Sequence, residues 1–304
     1  MRASRISIIL LLACAAGAAT FWGVTEPRPA FSKGDATLDQ DGDPSKGRLV
    51  FAAGDCASCH ASVGQPDRFR LGGGLALASP YGTFRVPNIS MDTTDGIGSW
   101  QTRELANALL RGVSPTGAHY YPSFPYSSYA KMTVEDVRDL MAFLRTLPAV
   151  SGKTPPHDLA LPFRVRRFVG LWKILYLDRQ PIAPDRDRGD AWNRGQYLVE
   201  AVAHCAECHS SRDLFGGIKA DTRFAGGKDP EGVGYFPNIT PNRIGDWTEQ
   251  DLAEVLKSGN TPNHGRVGSS MTDVVTNTAM LPQSDRDAIA AYIKSLPARP
   301  TPQP

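Results

Sequence analysis

The chain has 304 residues, a length that suggests about two domains. Its 33 basic and 31 acidic residues leave a net charge of +2, and this near balance gives no indication of a nucleic-acid partner. Four of the five cysteines fall in two short motifs, so no disulfide framework is predicted.

The N-terminus has the pattern of an export segment. Arg2 and Arg5 precede a mostly apolar run over residues 6–24, after which the chain becomes polar. This run is long enough to span a bilayer, so residues 1–24 are predicted to be an uncleaved membrane anchor, with a cleaved signal peptide as the alternative. Either segment would place the rest of the chain outside the cytoplasm. Residues 25–44, rich in Pro, Gly, Asp and Ser, predict a flexible tether.

The motif Cys-x-x-Cys-His, which is the attachment signature of c-type haem, occurs twice at a constant offset of 149. Its members are Cys56, Cys59 and His60 in the first copy, and Cys205, Cys208 and His209 in the second. On one helical turn, positions i, i+3 and i+4 share a face. The two thiols can therefore reach the two vinyl groups of one porphyrin while the imidazole turns toward the iron. The sequence predicts two covalently bound haem c groups, with His60 and His209 as proximal iron ligands.

Paired cysteines also occur in other sites. A Cys-x-x-Cys pair is compatible with half of a zinc site or with a redox dithiol, and the two pairs together could form one four-cysteine zinc site. A histidine directly after both pairs argues against these sites, because zinc spacing does not require it.

The sequence around the motifs is duplicated. Each copy passes through Pro-Asn-Ile and Gly-x-Trp into a helix, and ends in a second helix with an apolar stripe at i, i+3, i+4 and i+7. The stripes are Leu140, Phe143, Leu144 and Leu147, and Ile289, Tyr292, Ile293 and Leu296. The carbonyls of Pro87 and Pro237 are predicted to orient the haem histidines. The pattern predicts an all-α fold with two tandem haem domains, residues 45–150 and 191–304, after the N-terminal helix.

The two copies are joined by a linker rich in proline and aromatic residues, residues 151–190. A polar connector would not carry Phe163, Phe168 and Trp172. We therefore expect a short amphipathic helix that packs across the domain junction, with contact to a membrane or a partner as the alternative.

The distal iron ligands differ between the copies. Methionine in this position raises the redox potential and suits electron transfer. Met271, which lies between the two helices of the second copy, is the predicted distal ligand of the second haem. The first copy has no methionine at the position 149 residues earlier. Met132 is favoured there, with His119 as the main rival and Met91 as a weaker candidate.

Several segments resemble a known family. Gly-Ile-Gly-Ser-Trp at 96–100, Tyr-Tyr-Pro-Ser-Phe-Pro-Tyr-Ser-Ser-Tyr at 120–129 and Met-Thr-Asp-Val-Val at 271–275, together with the haem motifs, are similar to the multihaem cytochrome c subunits of bacterial membrane-bound dehydrogenases. The resemblance covers about residues 45 to 298 and implies class I cytochrome c domains. Two departures stand out: alcohol and gluconate members typically carry a third haem, and many members have methionine where this chain has Phe124.

The resemblance implies a carrier that passes electrons from a dehydrogenase catalytic subunit toward quinone, a terminal oxidase or another cytochrome. Such a carrier would lie on the periplasmic side of the bacterial inner membrane, anchored through its N-terminal segment or secreted. No set of residues typical of catalysis on a substrate occurs in the chain, so it is not expected to be an enzyme. The alternative is a dihaem redox enzyme, such as a thiosulfate dehydrogenase or a cytochrome c peroxidase, which would need an iron with an open or unusual ligand.

Overall fold

The computed structural model describes residues 2–229 and 234–303, with side chains from residue 6 onward, so the Arg2 and Arg5 side chains lie outside the described part. The α-helices are α1 (Arg2–Val24), α2 (Pro44–Ala53), α3 (Cys56–His60), α4 (Thr102–Arg111), α5 (Tyr126–Tyr129), α6 (Val134–Leu144), α7 (Phe168–Tyr176), α8 (Asp190–Tyr197), α9 (Pro241–Ile244), α10 (Glu249–Ser258), α11 (Met271–Thr278) and α12 (Gln283–Lys294). A π-helical turn, Leu198–Val202, continues α8, and short 3₁₀ turns cover Ala36–Leu38, Cys205–Glu207 and Ala220–Thr222.

Each haem unit is organised around two crossing helices, α2 with α6 and α8 with α12. Glycine allows the close approach at each crossing. A Cβ added to Gly47 would lie 1.9 Å from the carbonyl oxygen of Asp139, and one added to Gly195 would lie 1.9 Å from that of Ala288. These glycines occupy equivalent positions in the two copies, so the duplication seen in the sequence extends to helix packing.

The apolar stripes predicted for the last helix of each copy face the core. Leu140, Phe143 and Leu144 are buried on α6, and the four stripe residues of the second copy are also buried. The core is continuous from one unit to the other, because residues such as Phe51 and Val202 belong to a single cluster. The prediction of an all-α fold with two tandem units is confirmed.

Short strands supplement the helices. β1 (Ala76–Leu77), β2 (Gly82–Arg85) and β3 (Asp158–Leu159) form one antiparallel sheet, and β4 (Gly227–Lys228) pairs with β5 (Tyr235–Phe236). Because β3 belongs to the linker and pairs Leu159 with Gly82, the linker is attached to the first unit at its start.

The segment predicted to be a flexible tether is packed against the first unit, so that prediction is wrong. The amides of Ala30 and Phe31 both donate to Asn107 Oδ1, at 2.8 and 2.9 Å, and Asn107 donates back to the Phe31 carbonyl at 3.0 Å. Leu38 is buried in the core, and Asp43 caps α2 through the amide of Ser45. The composition of residues 25–44 is typical of a disordered segment, but the hydrogen bonds of Asn107 and the burial of Leu38 hold it against the first unit.

Helix α1 projects from this body. Its residues Ile6–Val24 form a segment long and apolar enough to cross a membrane, and none of it is buried within the protein. The C-terminal end of α1 contacts the linker: the rings of Phe21 and Phe168 lie 5.6 Å apart, and the Arg167 guanidinium lies 4.4 Å from the centre of the Trp22 ring.

The linker helix α7 packs across the domain junction, as predicted. Lys173 Nζ donates to the carbonyls of Arg111 and Gly112 in the first unit, at 2.6 and 2.8 Å. Toward the second unit, Trp172 Nε1 donates to the Phe215 carbonyl at 3.1 Å and the Tyr176 hydroxyl donates to Asp213 at 2.7 Å. The outer face of α7 is apolar and exposed. It consists of Phe168, Leu171, Ile174 and Leu175.

Candidate haem centres

Both haem motifs begin after a residue with left-handed backbone conformation. Asp55 has φ of 54° and His204 has φ of 43°, and neither is glycine. The first motif then forms the single helical turn α3, whereas the second forms a 3₁₀ turn over Cys205–Glu207. The turn brings both cysteines and the histidine of each motif to one local region, as their spacing predicts.

A proline carbonyl orients each proximal histidine. Because a carbonyl oxygen only accepts, His60 Nδ1 donates to Pro87 at 2.9 Å, and His209 Nδ1 donates to Pro237 at 2.7 Å. This hydrogen bond fixes the tautomer that leaves Nε2 with its lone pair available for iron. Burial lowers the pKa of both imidazoles, which favours the neutral form that a metal requires. The predicted role of the two prolines is confirmed.

The cysteines of the two motifs lie in an apolar environment. Burial raises the pKa of the Cys56 and Cys205 thiols to about 12, and that of the Cys208 thiol to about 11. Within residues 2–229 and 234–303, no three or more His, Cys, Asp or Glu side chains converge on a possible metal site. Neutral thiols beside an apolar core and a preset imidazole fit covalently attached haem.

The residues that precede the two motifs contact each other at the junction of the units. The Gly54 carbonyl, two residues before Cys56, accepts from the Tyr129 hydroxyl at 2.8 Å and lies 3.3 Å from His204 Nε2. The rings of Tyr129 and His204 meet edge to face at 5.6 Å. His204, the residue before the second haem motif, thus contacts the backbone just before the first motif. The sequence alone favours a surface or loop position for this histidine, so that interpretation does not describe its place at the junction.

Contacts across the junction are reciprocal. Ser127 of the first unit donates from its hydroxyl to Glu207 of the second motif at 2.6 Å. In return, Asn277 of the second unit donates to Ser58 of the first motif at 2.9 Å and also to Asp55. Ser58 and Glu207 are equivalent positions within the two motifs, so the junction has approximate two-fold character.

Asn277 lies on the same helix as the predicted distal ligand Met271. Met271 is the first residue of α11 and is half-buried, whereas Asn277 is buried near the end of the helix. Arg68 of the first unit also reaches this helix, donating to Asp273 at 2.8 Å and to Asn277 at 3.2 Å. Helix α11 therefore connects the predicted ligand region of one haem with the attachment motif of the other.

Met132 is 7 % exposed and lies at the end of the turn that follows α5. It lines a small cavity with Val50, Cys56, Leu140 and other core residues. Its equivalent in the second copy is Leu281, which is also buried. Leucine cannot bind iron, so this position is not a ligand in the second unit. Ligation by Met132 in the first unit stays a prediction.

The structure contradicts the rival ligand His119. Its Nε2 lies 2.8 Å from the Thr25 carbonyl and its Nδ1 lies 3.0 Å from Lys173 Nζ, so both ring nitrogens have partners. The ring is buried between the end of α1, the linker helix and the first unit. Sequence position alone did not show that the segment after α1 would cover this histidine.

Comparison with known proteins agrees with this geometry. The family model for cytochrome c matches twice, at residues 44–148 and 193–297. The chain belongs to the cytochrome c family. Two such domains, each with its haem motif, mean that this cytochrome carries two covalently bound haem c groups and transfers electrons.

Relatives of the cytochrome include a dihaem cytochrome and the cytochrome subunits of dehydrogenases. It is 46 % identical to a dihaem cytochrome c-type protein of Cereibacter sphaeroides, over 95 % of this chain and 97 % of that protein. It is 35 % identical to the fructose dehydrogenase cytochrome subunit of Gluconobacter japonicus, over 98 % of this chain but 60 % of that subunit. With the alcohol dehydrogenase (quinone) cytochrome c subunit of Gluconobacter oxydans the identity is 32 %, over 86 % and 57 %.

The residues of the cytochrome have separable roles around each haem. The haem supplies one-electron redox chemistry when bound. Four cysteines, Cys56, Cys59, Cys205 and Cys208, would hold it covalently. His60 and His209 would bind iron through Nε2 while Pro87 and Pro237 hold the imidazole rings in place. The junction of the units keeps the two attachment sites adjacent.

Proposed function

We propose that this dihaem cytochrome accepts electrons from a dehydrogenase catalytic subunit and passes them toward quinone, a terminal oxidase or another cytochrome. The observation that carries the proposal is the contact between Gly54 and His204, which lie just before the two haem motifs. Attachment sites that lie close together favour rapid exchange of electrons between the two haems. A carrier needs this exchange, whereas two haems that work independently do not.

The relatives support the donor part of the proposal. The Gluconobacter relatives are named as the cytochrome subunits of fructose and alcohol dehydrogenases. This chain spans about 60 % or less of those subunits, so the partner of the present chain is inferred from the shared portion alone. The chain matches nearly the full length of the Cereibacter protein, which is named simply as a dihaem cytochrome.

We place the cytochrome on the periplasmic side of the bacterial inner membrane. Helix α1 would be its anchor, because residues 6–24 are mostly apolar and none of them is buried within the protein. The exposed apolar face of α7 begins beside the end of α1, where Phe168 meets Phe21. Arg166 and Arg167 flank this face and would suit anionic lipid headgroups.

Reduction of the cytochrome in membranes tests the proposal. Membranes from cells with and without the chain would receive fructose, ethanol or gluconate under anaerobic conditions, and the haem absorption band would be followed. We expect one of these dehydrogenase substrates to reduce both haems. A variant with Cys205 and Cys208 replaced by Ala would retain one haem and control for partial reduction. Haems that stay oxidised with every substrate, yet turn over thiosulfate or peroxide, would refute the carrier function.

A further inference from the structure

The segments that follow α4 in the first unit and α10 in the second unit show which residue of the first unit corresponds to Met271. Helices α4 and α10 have identical lengths and an offset of 147 residues. Both end at a left-handed glycine, Gly112 and Gly259, and continue into an equivalent turn. In that turn the backbone amide of Tyr120 donates to the Gly112 carbonyl at 2.7 Å, and the backbone amide of Val267 donates to the Gly259 carbonyl at 2.9 Å.

The offset changes shortly after this turn. The backbone amide of Met132 donates to the Tyr129 carbonyl, and the backbone amide of Leu281 donates to the Thr278 carbonyl in the same way. These two pairs of residues are 149 positions apart. Met271 lies between the two regions. An offset of 147 makes Phe124 its equivalent in the first unit, and an offset of 149 makes Pro122 its equivalent. Neither side chain can bind iron.

Phe124 belongs to a cluster of four aromatic rings. Its ring centre lies 5.8 Å from that of Tyr120, 6.2 Å from that of Tyr126 and 5.8 Å from that of Tyr129. The cluster adjoins the first haem motif, because the Tyr129 hydroxyl donates to the Gly54 carbonyl. Tyr126 is fully buried, and within the described part of the chain its hydroxyl has no hydrogen-bond partner.

We propose that this aromatic cluster leaves the distal side of the first haem without a protein ligand, so that the site binds a small neutral diatomic molecule such as carbon monoxide or nitric oxide. The rings themselves carry no charge. Lys173 Nζ lies 4.7 Å from the centre of the Tyr126 ring, but it already donates to the carbonyls of Arg111 and Gly112, so the cluster favours a neutral ligand over an anion. Met132 occupies the position of Leu281, a buried packing residue of the second unit, so it does not correspond to the position from which Met271 is predicted to bind iron. His119 does not compete, because both of its ring nitrogens have partners.

This property adds to the proposed electron carrier and rests on haem attachment, not on the identity of donor or acceptor. If no dehydrogenase substrate reduces the haems in membranes, ligand binding to chemically reduced protein is unaffected. The two failures can therefore be told apart.

Carbon monoxide is the probe for the test. The full-length protein with both haems, solubilised in detergent and reduced with dithionite, would be titrated with carbon monoxide and followed by its absorption spectrum. We expect about one bound molecule per chain, because Met271 protects the second haem. The oxidised protein should show a high-spin ferric signal in electron paramagnetic resonance that accounts for one of the two haems.

Three variants assign the site. Phe124→Met should lower the affinity for carbon monoxide by about tenfold or more and add a methionine–iron charge-transfer band. Phe124→Leu, the matched control, should still bind the gas. Met132→Leu should leave both spectra unchanged. The proposal is overturned if the wild-type protein binds no carbon monoxide, or if Met132→Leu removes a charge-transfer band and opens a new binding site.

Discussion

Asp55 and His204 precede the two haem motifs and both adopt a backbone conformation that is unfavourable for residues with a side chain. Such conformations cost about 1 kcal/mol or more and persist where surrounding contacts hold them. Here the contacts are those of the junction: Asn277 donates to Asp55, and His204 lies against the Gly54 carbonyl. Both residues with this conformation therefore take part in contacts between the two units.

Replacement of Met271 by Ala tests its role as the distal ligand of the second haem. Loss of the thioether should abolish the methionine–iron charge-transfer band and lower one redox potential by a sizeable fraction of the ~0.8 V range that axial ligands span. Spectra and potentiometric titration would measure both effects. Met280→Ala is the matched control and should leave the band intact. A band that survives in Met271→Ala would assign the ligand to another residue.

Replacement of Asn277 by Ala tests the junction. Asp55 and Ser58 would each lose a partner in a half-buried site, which should lower the free energy of unfolding by about 1–3 kcal/mol. Urea denaturation measures the change. Thr276→Ala removes a hydroxyl one residue away that donates to the Thr272 carbonyl of its own helix, and it should cost much less. Equal losses in the two variants would mean that the junction contacts contribute nothing specific.

At the scale of elements, α7 has two faces with different partners. Its inner face carries Lys173 and Val169, which are buried, and its outer face carries apolar side chains that are exposed. An exposed apolar face beside a helix long enough to cross a membrane is a surface suited to the lipid interface. Helix α7 would thus hold the two haem units together and also set their orientation above the bilayer.

The outer face of α7 should contribute to membrane binding independently of α1. A chain exported by a cleavable signal peptide and lacking residues 2–20 should still bind vesicles containing anionic lipids. Ile174→Asp with Leu175→Asp should reduce this binding by about tenfold or more, since charged residues partition poorly into the interface. Ser151→Asp with Gln180→Asp adds the same charge at exposed polar positions and serves as the control. Equal binding by both pairs would exclude a lipid contact at α7.

At the scale of the whole molecule, Lys173 connects the linker with the first unit and with the segment after α1. Its ammonium nitrogen lies within hydrogen-bond distance of two carbonyls and of His119, which in turn contacts Thr25. Burial lowers the pKa of Lys173 to about 7, with Arg179 adding a smaller repulsion. Burial also lowers the pKa of His119. A buried basic group of this kind makes stability depend on pH.

The direction of that dependence follows from proton binding. Between about pH 7 and pH 10 the unfolded chain retains the Lys173 proton and the folded chain loses it, so the free energy of unfolding should rise with pH, by at most about 1.4 kcal/mol per unit. Urea titrations at about pH 7 and about pH 9.5 measure this rise. Lys173→Met should flatten it. If the free energy of unfolding changes equally with pH in the unmodified protein and in Lys173→Met, Lys173 has an ordinary pKa in the folded chain.

Features with a fixed period or spacing could be predicted from the sequence. The stripe from Leu140 to Leu147 fixes a helix and its buried face, and the Cys-x-x-Cys-His spacing fixes the attachment of haem. The alignment of the two copies also placed Pro87 and Pro237 beside the histidines. These features depend on local geometry or on the duplication, both of which are visible in one sequence.

Contacts between distant segments could not be predicted in the same way. Residues 25–44 look disordered by composition, yet they are held by Asn107, more than 70 positions away. His204 looks like a surface histidine until the two units are placed together. His119 could have been an iron ligand until Thr25 and Lys173 are seen to occupy its nitrogens. Each outcome depends on side chains that meet only in the folded chain.

A potentiometric titration with haem quantification tests whether two haems in tandem helical units form one electron carrier. The mature protein would be titrated while its absorption spectrum and electron paramagnetic resonance are recorded. We expect two haems per chain and two one-electron transitions, with the higher potential belonging to the methionine-ligated second haem. A single haem, a single transition or bound zinc in place of haem would contradict this expectation.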